Sequence, residues 1–173
     1  MPAWSPEIAN EFIRLAAADG RAFDQLQLQA LVYIAHGWCL ALHGEALTGD
    51  RPEAWDFGPM YQRLATALAP CGREPVRFQI SSTEGFPSLK LESNSNAASS
   101  ELEQVEAELV EEIYQNYGAL ESWQLSALTR KGSTPWKQVF ADGVGRSRDI
   151  PHDLIRIQFA ELLRQSEGSQ ERP

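Results

Sequence analysis

Three side chains with metal-binding chemistry lie close together in the sequence. His36, Cys39 and His43 are spaced by three and four residues, so an α-helix would place all three on one face. Imidazole nitrogen and thiolate sulfur are ligands that zinc and iron accept. A fourth ligand would have to come from Cys71, His152 or an acidic residue, and no local motif selects one. The same pattern fits an apolar core helix edged by histidines, so we expect no metal site.

Motifs of enzymatic catalysis are absent from the sequence. It contains no G-x-S-x-G nucleophile turn, no glycine-rich nucleotide loop and no H-E-x-x-H zinc motif. The chain holds 3 histidines, so acid–base chemistry would need a pair of carboxylates, and a solvated helix face is a poor place to shift a pKa. We expect no catalytic residues, no cofactor and no enzymatic activity. The alternative is a metal-dependent enzyme built on His36, Cys39 and His43.

The bulk composition fits a single globular domain. The chain has 173 residues, of which 43% are hydrophobic and 23% charged, and a chain of this length buries roughly 70% of its unfolded surface. It has no run of about 18 apolar residues, and residues 1–7 lack a basic-then-apolar leader pattern. We expect a cytoplasmic protein with no membrane partner, whose Cys39 and Cys71 stay reduced.

The negative charge is concentrated in one segment. Residues 81–112 contain 8 acidic residues and 1 basic residue, which makes −7 of the chain's net charge of −9. Such a segment repels the phosphate backbone of nucleic acids and attracts a basic partner. We therefore expect no direct nucleic-acid binding and a partner with a basic surface.

The hydrophobic periodicity predicts a mainly α-helical, compact bundle of about seven helices. The second helix is the clearest, because Asp24 can cap it, Gly44 can end it, and its residues are apolar around most of its girth. This pattern predicts a buried central helix. A capping-box pattern at 100–103 predicts that a later, acidic helix begins there. We expect one domain over residues 1–165 and a flexible polar tail over 166–173.

A small β-element is predicted beside the helices. Two short extended runs at 46–48 and 53–57 flank turn residues at 49–52, which is typical of a β-hairpin or an irregular ribbon. A third helix is predicted to begin at Pro59. Residues 73–100 hold two more strand-like runs within a polar, small-residue stretch, which predicts a loop or a β-insertion.

The aromatic residues leave two interpretations open. The chain has 5 tryptophans, most of them beside helix starts, turns or the predicted hairpin. Rings in such places are frequently part of the core, but half-exposed rings also anchor protein interfaces, where Trp, Tyr and Arg are enriched. Alternation along 53–57 places Trp55 and Phe57 on one face of their strand.

Four blocks of the sequence, taken together, resemble a known family. They are LQLQALVYIAHGWCLALHGEAL at 26–47, EAWDFGPMY at 53–61, YGALESWQLSALT at 117–129 and TPWK at 134–137. In this order and separation they resemble the Panacea domain, the family of SocA-like antitoxins and phage-associated GepA-like proteins, over residues 8–164. The resemblance implies an antitoxin that neutralises a co-encoded toxin by forming a complex with it. One branch of the family instead acts as a proteolytic adaptor that hands its toxin to a cellular protease.

Two positions depart from the family pattern. The family often has Lys-Leu-x-Lys-Leu where this chain has QLQAL at 27–31, and Thr-His where this chain has Thr129 and Arg130. A role for that lysine or histidine is therefore not carried over to this chain.

We expect a rigid helical scaffold to present aromatic anchors and an acidic flank to a basic patch on the toxin. Both direct blockade and delivery to a protease stay open as outcomes. The expected contact residues lie near the predicted hairpin and on the acidic helix, and they are Trp55, Phe57, Tyr61, His43, Glu45, Glu108, Glu111 and Glu112.

Overall fold

The computed structural model describes residues 2–81, 88–90 and 102–170. Within these ranges the chain forms seven α-helices and two small antiparallel β-hairpins, which confirms the predicted mainly α-helical fold. The helices are α1 Ser5–Ala18, α2 Gln25–His43, α3 Gln62–Leu68, α4 Gln104–Tyr117, α5 Ser122–Arg130, α6 Pro135–Phe140 and α7 His152–Gln170. The strands are β1 Glu53–Trp55, β2 Gly58–Met60, β3 Gln79–Ser81 and β4 Ser88–Lys90.

Helix α2 is the centre of the fold. At its start, the Asp24 carboxylate accepts a hydrogen bond from the backbone N–H of Gln27 (2.8 Å). At its end, Gly44 adopts a left-handed conformation with φ 71°, which an L-residue takes at a cost. Most residues of α2 are buried, and α1, α3, α4, α5, α7 and β2 all pack on it. The predicted central helix and both of its end signals are confirmed.

Gly37 allows α7 to approach α2 closely. A Cβ atom at this position would lie 2.2–2.6 Å from three ring atoms of Phe159 in α7. The same ring packs edge-on against Tyr33 and Trp38 of α2, with centroids 6.2 and 5.4 Å away. A glycine inside a helix costs about 1 kcal/mol relative to alanine, and the close packing of Phe159 offsets this cost.

The first β-hairpin differs from the predicted one. Strand β1 pairs with β2, with Trp55 opposite Gly58, and residues 56–57 form the turn. Residues 46–48 are not its partner strand, since Thr48 instead forms an isolated bridge with Ala3. Helix α3 begins at Gln62 rather than at Pro59. The predicted pairing and the predicted helix start were therefore wrong.

The residues after the turn explain why the pairing and the helix start were predicted wrongly. Gly58 and Pro59 were interpreted as the end of the strand, but both belong to β2. Gly58 adopts φ 123°, which favours glycine, and an added Cβ would lie 2.8 Å from the hydroxyl oxygen of Thr129. Pro59 is tolerated because an edge strand does not need every backbone N–H for pairing.

The second β-hairpin lies in the predicted insertion. Strands β3 and β4 pair antiparallel, with Ile80 opposite Leu89. Residues 82–87 and 91–100, which belong to the same predicted loop or insertion, lie outside the described residues. So do the first two positions of the predicted capping box at 100–103, and α4 begins at Gln104 with Glu103 at its N-cap.

Helix α7 continues to Gln170, beyond the domain boundary at 165 that the sequence indicates. No described helix combines the length and hydropathy that crossing a membrane requires.

We predict that Gly37→Ala lowers the free energy of unfolding. The added methyl group would collide with the Phe159 ring, and overpacking of this kind costs about 1–3 kcal/mol, which exceeds the gain of about 1 kcal/mol in helix propensity. Urea denaturation measures the change. Gly168→Ala in α7 is the control, because a Cβ there meets no atom within 4 Å among the described residues, so this variant is expected to be at least as stable as the parent.

A second substitution separates packing from propensity. In a Phe159→Leu background the aromatic edge is gone, so Gly37→Ala should cost less than it does in the parent chain. An equal cost in both backgrounds would contradict the proposed role of this contact.

Candidate protein-binding surface

His36 lies in a buried cluster beside the first hairpin and the start of α7. Its Nδ1 atom is 3.3 Å from the backbone nitrogen of Thr48, which donates to it. Its ring packs edge-on against Tyr61 and His152, with centroids 6.5 and 4.7 Å away. Burial, with a contribution from His152, lowers the pKa of His36 to about 3, because a buried imidazolium loses its hydration. The ring is therefore neutral near pH 7.

Cys39 and His43 do not join His36 in one site. Cys39 is buried on the side of α2 that faces Glu45 and Glu106, and burial together with these carboxylates raises its pKa to about 11. The thiol is thus protonated and a weak ligand. His43 is exposed at the end of α2. In the part of the chain that the structure describes, no three His, Cys, Asp or Glu side chains gather in a way that could hold a metal ion.

The loop before α7 covers the free edge of β1. The Ala54 N–H donates to the Arg148 carbonyl (2.9 Å), and the Ser147 N–H donates to the Ala54 carbonyl (2.7 Å). The Ile150 N–H donates to the Pro52 carbonyl (2.8 Å). A strand edge that is already paired cannot accept a further strand, so a partner that meets this hairpin along β1 must use side-chain contacts.

Helices α5 and α6 hold the turn of the same hairpin. The Ser126 hydroxyl of α5 donates to the Phe57 carbonyl (2.6 Å). The indole N–H of Trp136 in α6 donates to the Trp55 carbonyl (2.7 Å). The turn is therefore bonded to two helices that themselves pack into the domain, and binding through it would order few additional groups.

Two large exposed apolar side chains belong to this turn and to the helix α5 that binds it. Phe57 is 69% exposed and Trp123 is 65% exposed. Trp123 lies three residues before Ser126 in α5, so it stands one helical turn from the residue that binds the Phe57 carbonyl. Trp55, the residue before the turn, is half-buried. We name Trp55, Phe57 and Trp123 the hairpin surface, because exposed aromatic rings on a rigid support are typical of protein-binding anchors.

Basic side chains border the hairpin surface. The Arg146 guanidinium lies 2.8 Å from the Asp56 carboxylate in the turn, and both side chains are about half exposed, so this ion pair adds little stability. The Arg130 guanidinium lies 6.0 Å from the centroid of the Trp136 ring. The hairpin surface is thus distinct from the acidic flank expected from the sequence.

The structure distributes the expected contact residues over three regions. Trp55 and Phe57 belong to the hairpin surface, and His43 and Glu45 are exposed where α2 ends. The expected acidic contacts are exposed on α4, and they are Glu108, Glu111 and Glu112. Cys39 of α2 lies near both Glu45 and Glu106 of α4, so Glu45 falls on the side of α2 that α4 covers.

Tyr61 was expected to contact the partner, but it is buried in the structure. Its side chain is fully buried, and its backbone N–H and carbonyl are both bound by the side chain of Gln29 in α2, at 2.8 and 3.2 Å. The residue packs the end of β2 onto α2. Its burial follows from this packing, since the strand has to turn inward to reach α3.

Trp123 is a surface residue that the sequence reasoning did not include among the contacts. The spacing of apolar residues in α5 could have identified it. Trp123 and Leu125 are two residues apart in α5, and two residues at this separation cannot both face the buried side of a helix. Leu125 is fully buried, which leaves Trp123 on the outside.

The fold and the hairpin surface together define a small α-helical domain whose prominent surface feature suits contact with another protein. The chain belongs to the SocA-like antitoxin family, Panacea domain, whose family model matches residues 28–137, from α2 to α6. It is 28% identical over 138 residues to Antitoxin SocA of Caulobacter vibrioides (strain NA1000 / CB15N), an alignment that covers 80% of this chain and 70% of that protein. No solved structure matches. Family membership confirms the resemblance found in the sequence, supports an antitoxin role and implies a toxin as partner.

We predict that the neutral state of His36 makes the domain sensitive to acid. In the unfolded chain a histidine binds a proton below about pH 6.5, whereas folded His36 does so only near pH 3. Stability that depends on His36 is therefore complete above pH 6.5 and falls as the pH drops from 6.5 toward 3, by up to about 1.4 kcal/mol per pH unit.

Urea denaturation between pH 7.5 and 4.5 measures this dependence. His36→Gln should show a shallower loss of stability with falling pH than the parent chain. His43→Gln removes an exposed histidine from the same helix and should leave the slope unchanged. If the parent and His36→Gln lose stability in parallel, His36 does not carry the effect.

Proposed function

We propose that this chain neutralises its toxin by binding it directly, and that the hairpin surface is the main contact. The observation that carries the proposal is the exposure of Phe57, in a turn held by hydrogen bonds to α5 and α6, together with the exposure of Trp123 on α5 itself. Removing a large apolar side chain from water contributes about 1.5–3 kcal/mol. Because the turn is already ordered, most of this contribution is available for binding.

In this proposal the chain acts by covering the toxin's working surface. The covered edge of β1 favours recognition through the two rings rather than through added strand pairing. The toxin would need an apolar depression that accepts them. The chain itself would make or break no covalent bond, which agrees with the separation of His36, Cys39 and His43.

The acidic face of α4 has a separate role in the proposal. Glu108, Glu111 and Glu112 are exposed there, and the chain as a whole carries a net charge of −9. Such a field attracts a basic toxin and speeds the encounter. Since arginines border the hairpin surface, a basic patch on the toxin would face α4 rather than the rings.

We predict that Trp123→Ala weakens toxin binding by about 2 kcal/mol, the loss typical of an aromatic hot spot. Phe57→Ala should act in the same direction. Isothermal titration of the purified chain with the co-encoded toxin measures both. The control is Val105→Ala, which removes a side chain that is 56% exposed on α4 and should leave affinity unchanged. Full affinity in both aromatic variants would exclude the hairpin surface as the contact.

Blockade and protease delivery are separated by one assay. Toxin activity is measured with the purified antitoxin and no protease. Direct neutralisation predicts inhibition that rises to completion at the stoichiometry of the complex. A toxin that stays active in the complex and is lost only when a protease is added would show that the chain is an adaptor.

We predict that reversing Glu108, Glu111 and Glu112 to lysine slows association with the toxin and weakens its dependence on salt, with little change in dissociation. Stopped-flow or surface-plasmon measurements at several ionic strengths test this. Reversal of three exposed acids of α7, Asp153, Glu161 and Glu167, controls for net charge and should slow association less. Equal effects of the two triple variants would remove the specific role of α4.

A further inference from the structure

Helix α5 carries a partly exposed arginine on the face that bears Trp123. Arg130 lies seven residues after Trp123, which is close to two helical turns, so the two side chains leave the helix within about 20° of one another. Their separation along the helix axis is roughly 10 Å. Ala127, which lies between them on this face, is exposed and presents only a methyl group. The face of α5 therefore offers an aromatic ring at one end and a guanidinium at the other.

Contacts with the hairpin and with α6 hold the Arg130 side chain in place. Its Cγ and Cδ atoms lie 3.7 and 3.9 Å from the position that a Cβ atom on Gly58 would occupy, so its aliphatic stem lies close to the residue after Phe57. Its Nε–H donates to the Ser126 carbonyl (3.3 Å), and its guanidinium lies 6.0 Å from the centroid of the Trp136 ring. Because these contacts are made within the chain, the guanidinium is in position before a partner arrives.

The charge of Arg130 has no carboxylate partner among the described residues. None of the ion pairs in this part of the chain involves it, whereas Arg146 at the same turn already pairs with Asp56. The Nε–H is one of the five N–H donors of a guanidinium, and it is the donor bonded to Ser126. The terminal N–H groups are thus available to a partner, and a guanidinium binds a carboxylate through two parallel hydrogen bonds.

We propose that Arg130 binds a carboxylate of the toxin, next to the apolar depression that receives Phe57 and Trp123. This inference rests on the proposed function, because it assumes that the hairpin surface contacts the toxin. A stable interface buries about 800 Å² on each partner, a patch roughly 30 Å across, so a toxin that covers both rings covers Arg130 as well. A guanidinium that loses its water without gaining an anion is destabilising, and a carboxylate at this point offsets the loss with charge-assisted hydrogen bonds.

A protein carboxylate suits this position better than the phosphates of a nucleic acid. The chain has a net charge of −9, and three of its acids are exposed on α4, namely Glu108, Glu111 and Glu112. A charge of this sign repels a polyanion over its whole length. One carboxylate within an apolar protein surface brings a single negative charge, which Arg130 neutralises locally.

The same contact gives the chain a means of discriminating between toxins. A toxin that has an apolar depression but no acid beside it would leave Arg130 desolvated and unpaired, and an unpaired charge acts against a wrong partner. The rings have no such effect, since apolar contacts accept any depression of suitable shape. Phe57 and Trp123 then supply most of the affinity, and Arg130 decides which toxin is accepted.

The first test measures the affinity and the dissociation rate of the co-encoded toxin with variants of the full chain. Arg130→Met keeps an unbranched stem near Gly58 and removes the charge, and we expect it to weaken binding about 10- to 100-fold, mainly through faster dissociation. Arg130→Lys keeps the charge without the planar fork and should recover only part of the loss. Lys131→Met removes the exposed charge of the next residue and is the matched control, with an expected change of about 3-fold or less.

A double-mutant cycle tests whether the partner of Arg130 is a carboxylate. Each Asp and Glu of the toxin is replaced in turn by Asn or Gln, and its affinity is measured for the parent chain and for Arg130→Met. One toxin variant should bind the parent chain about 10- to 100-fold more weakly yet lose little against Arg130→Met. If every toxin variant loses the same factor against both chains, the inference is overturned.

The outcomes separate this inference from the proposed function. If Phe57→Ala and Trp123→Ala weaken toxin binding while Arg130→Met does not, the inference fails and the proposed function stands. A lower melting temperature of Arg130→Met together with a cycle that shows no coupling also overturns the inference, because Arg130 then only supports the fold. If both aromatic variants bind the toxin with full affinity, the proposed function fails, and this inference fails with it.

Discussion

The burial of α2 on every side is the constraint on which the rest of the structure depends. A helix that is apolar around most of its girth cannot face water on any side, so the other elements have to surround it. Five helices and strand β2 pack on α2. The approach is closest at Gly37, where the missing side chain admits the Phe159 ring of α7. The small elements are then fixed in place by the helices that cover α2, rather than by their own few hydrogen bonds.

The hairpin surface follows from this arrangement. The β1–β2 hairpin is too short to be stable in isolation, and it becomes a rigid support because α2, α5, α6 and the loop before α7 hold it. The rings of Phe57 and Trp123 can then remain exposed without disturbing the core.

The helical part of the fold was readable from the sequence because helix signals are local. Periodicity, the Asp24 cap and the Gly44 end lie within one segment and need no distant partner. The hairpin was harder, because strand pairing joins segments whose choice of partner depends on the surroundings. Gly and Pro ordinarily indicate the end of a strand, yet Gly58 and Pro59 lie within β2. The close Thr129 hydroxyl explains the glycine, and the unpaired edge of the two-stranded sheet explains why the proline is tolerated. Tyr61 was misplaced for the same reason, since its burial depends on Gln29 of α2.

The sequence by itself determined the helical class, the central position of α2, the acidic segment and the family, because each is carried by composition or by residues close together in the chain. The tertiary structure decided which side chains meet. It buried His36 and Cys39 but left His43 exposed, and it bonded Ser126 of α5 to the turn that contains Phe57. It also left the Tyr33 hydroxyl without a partner among the described residues. These outcomes depend on contacts between segments far apart in sequence, and such contacts are set by the packing of whole elements around α2 rather than by any local pattern.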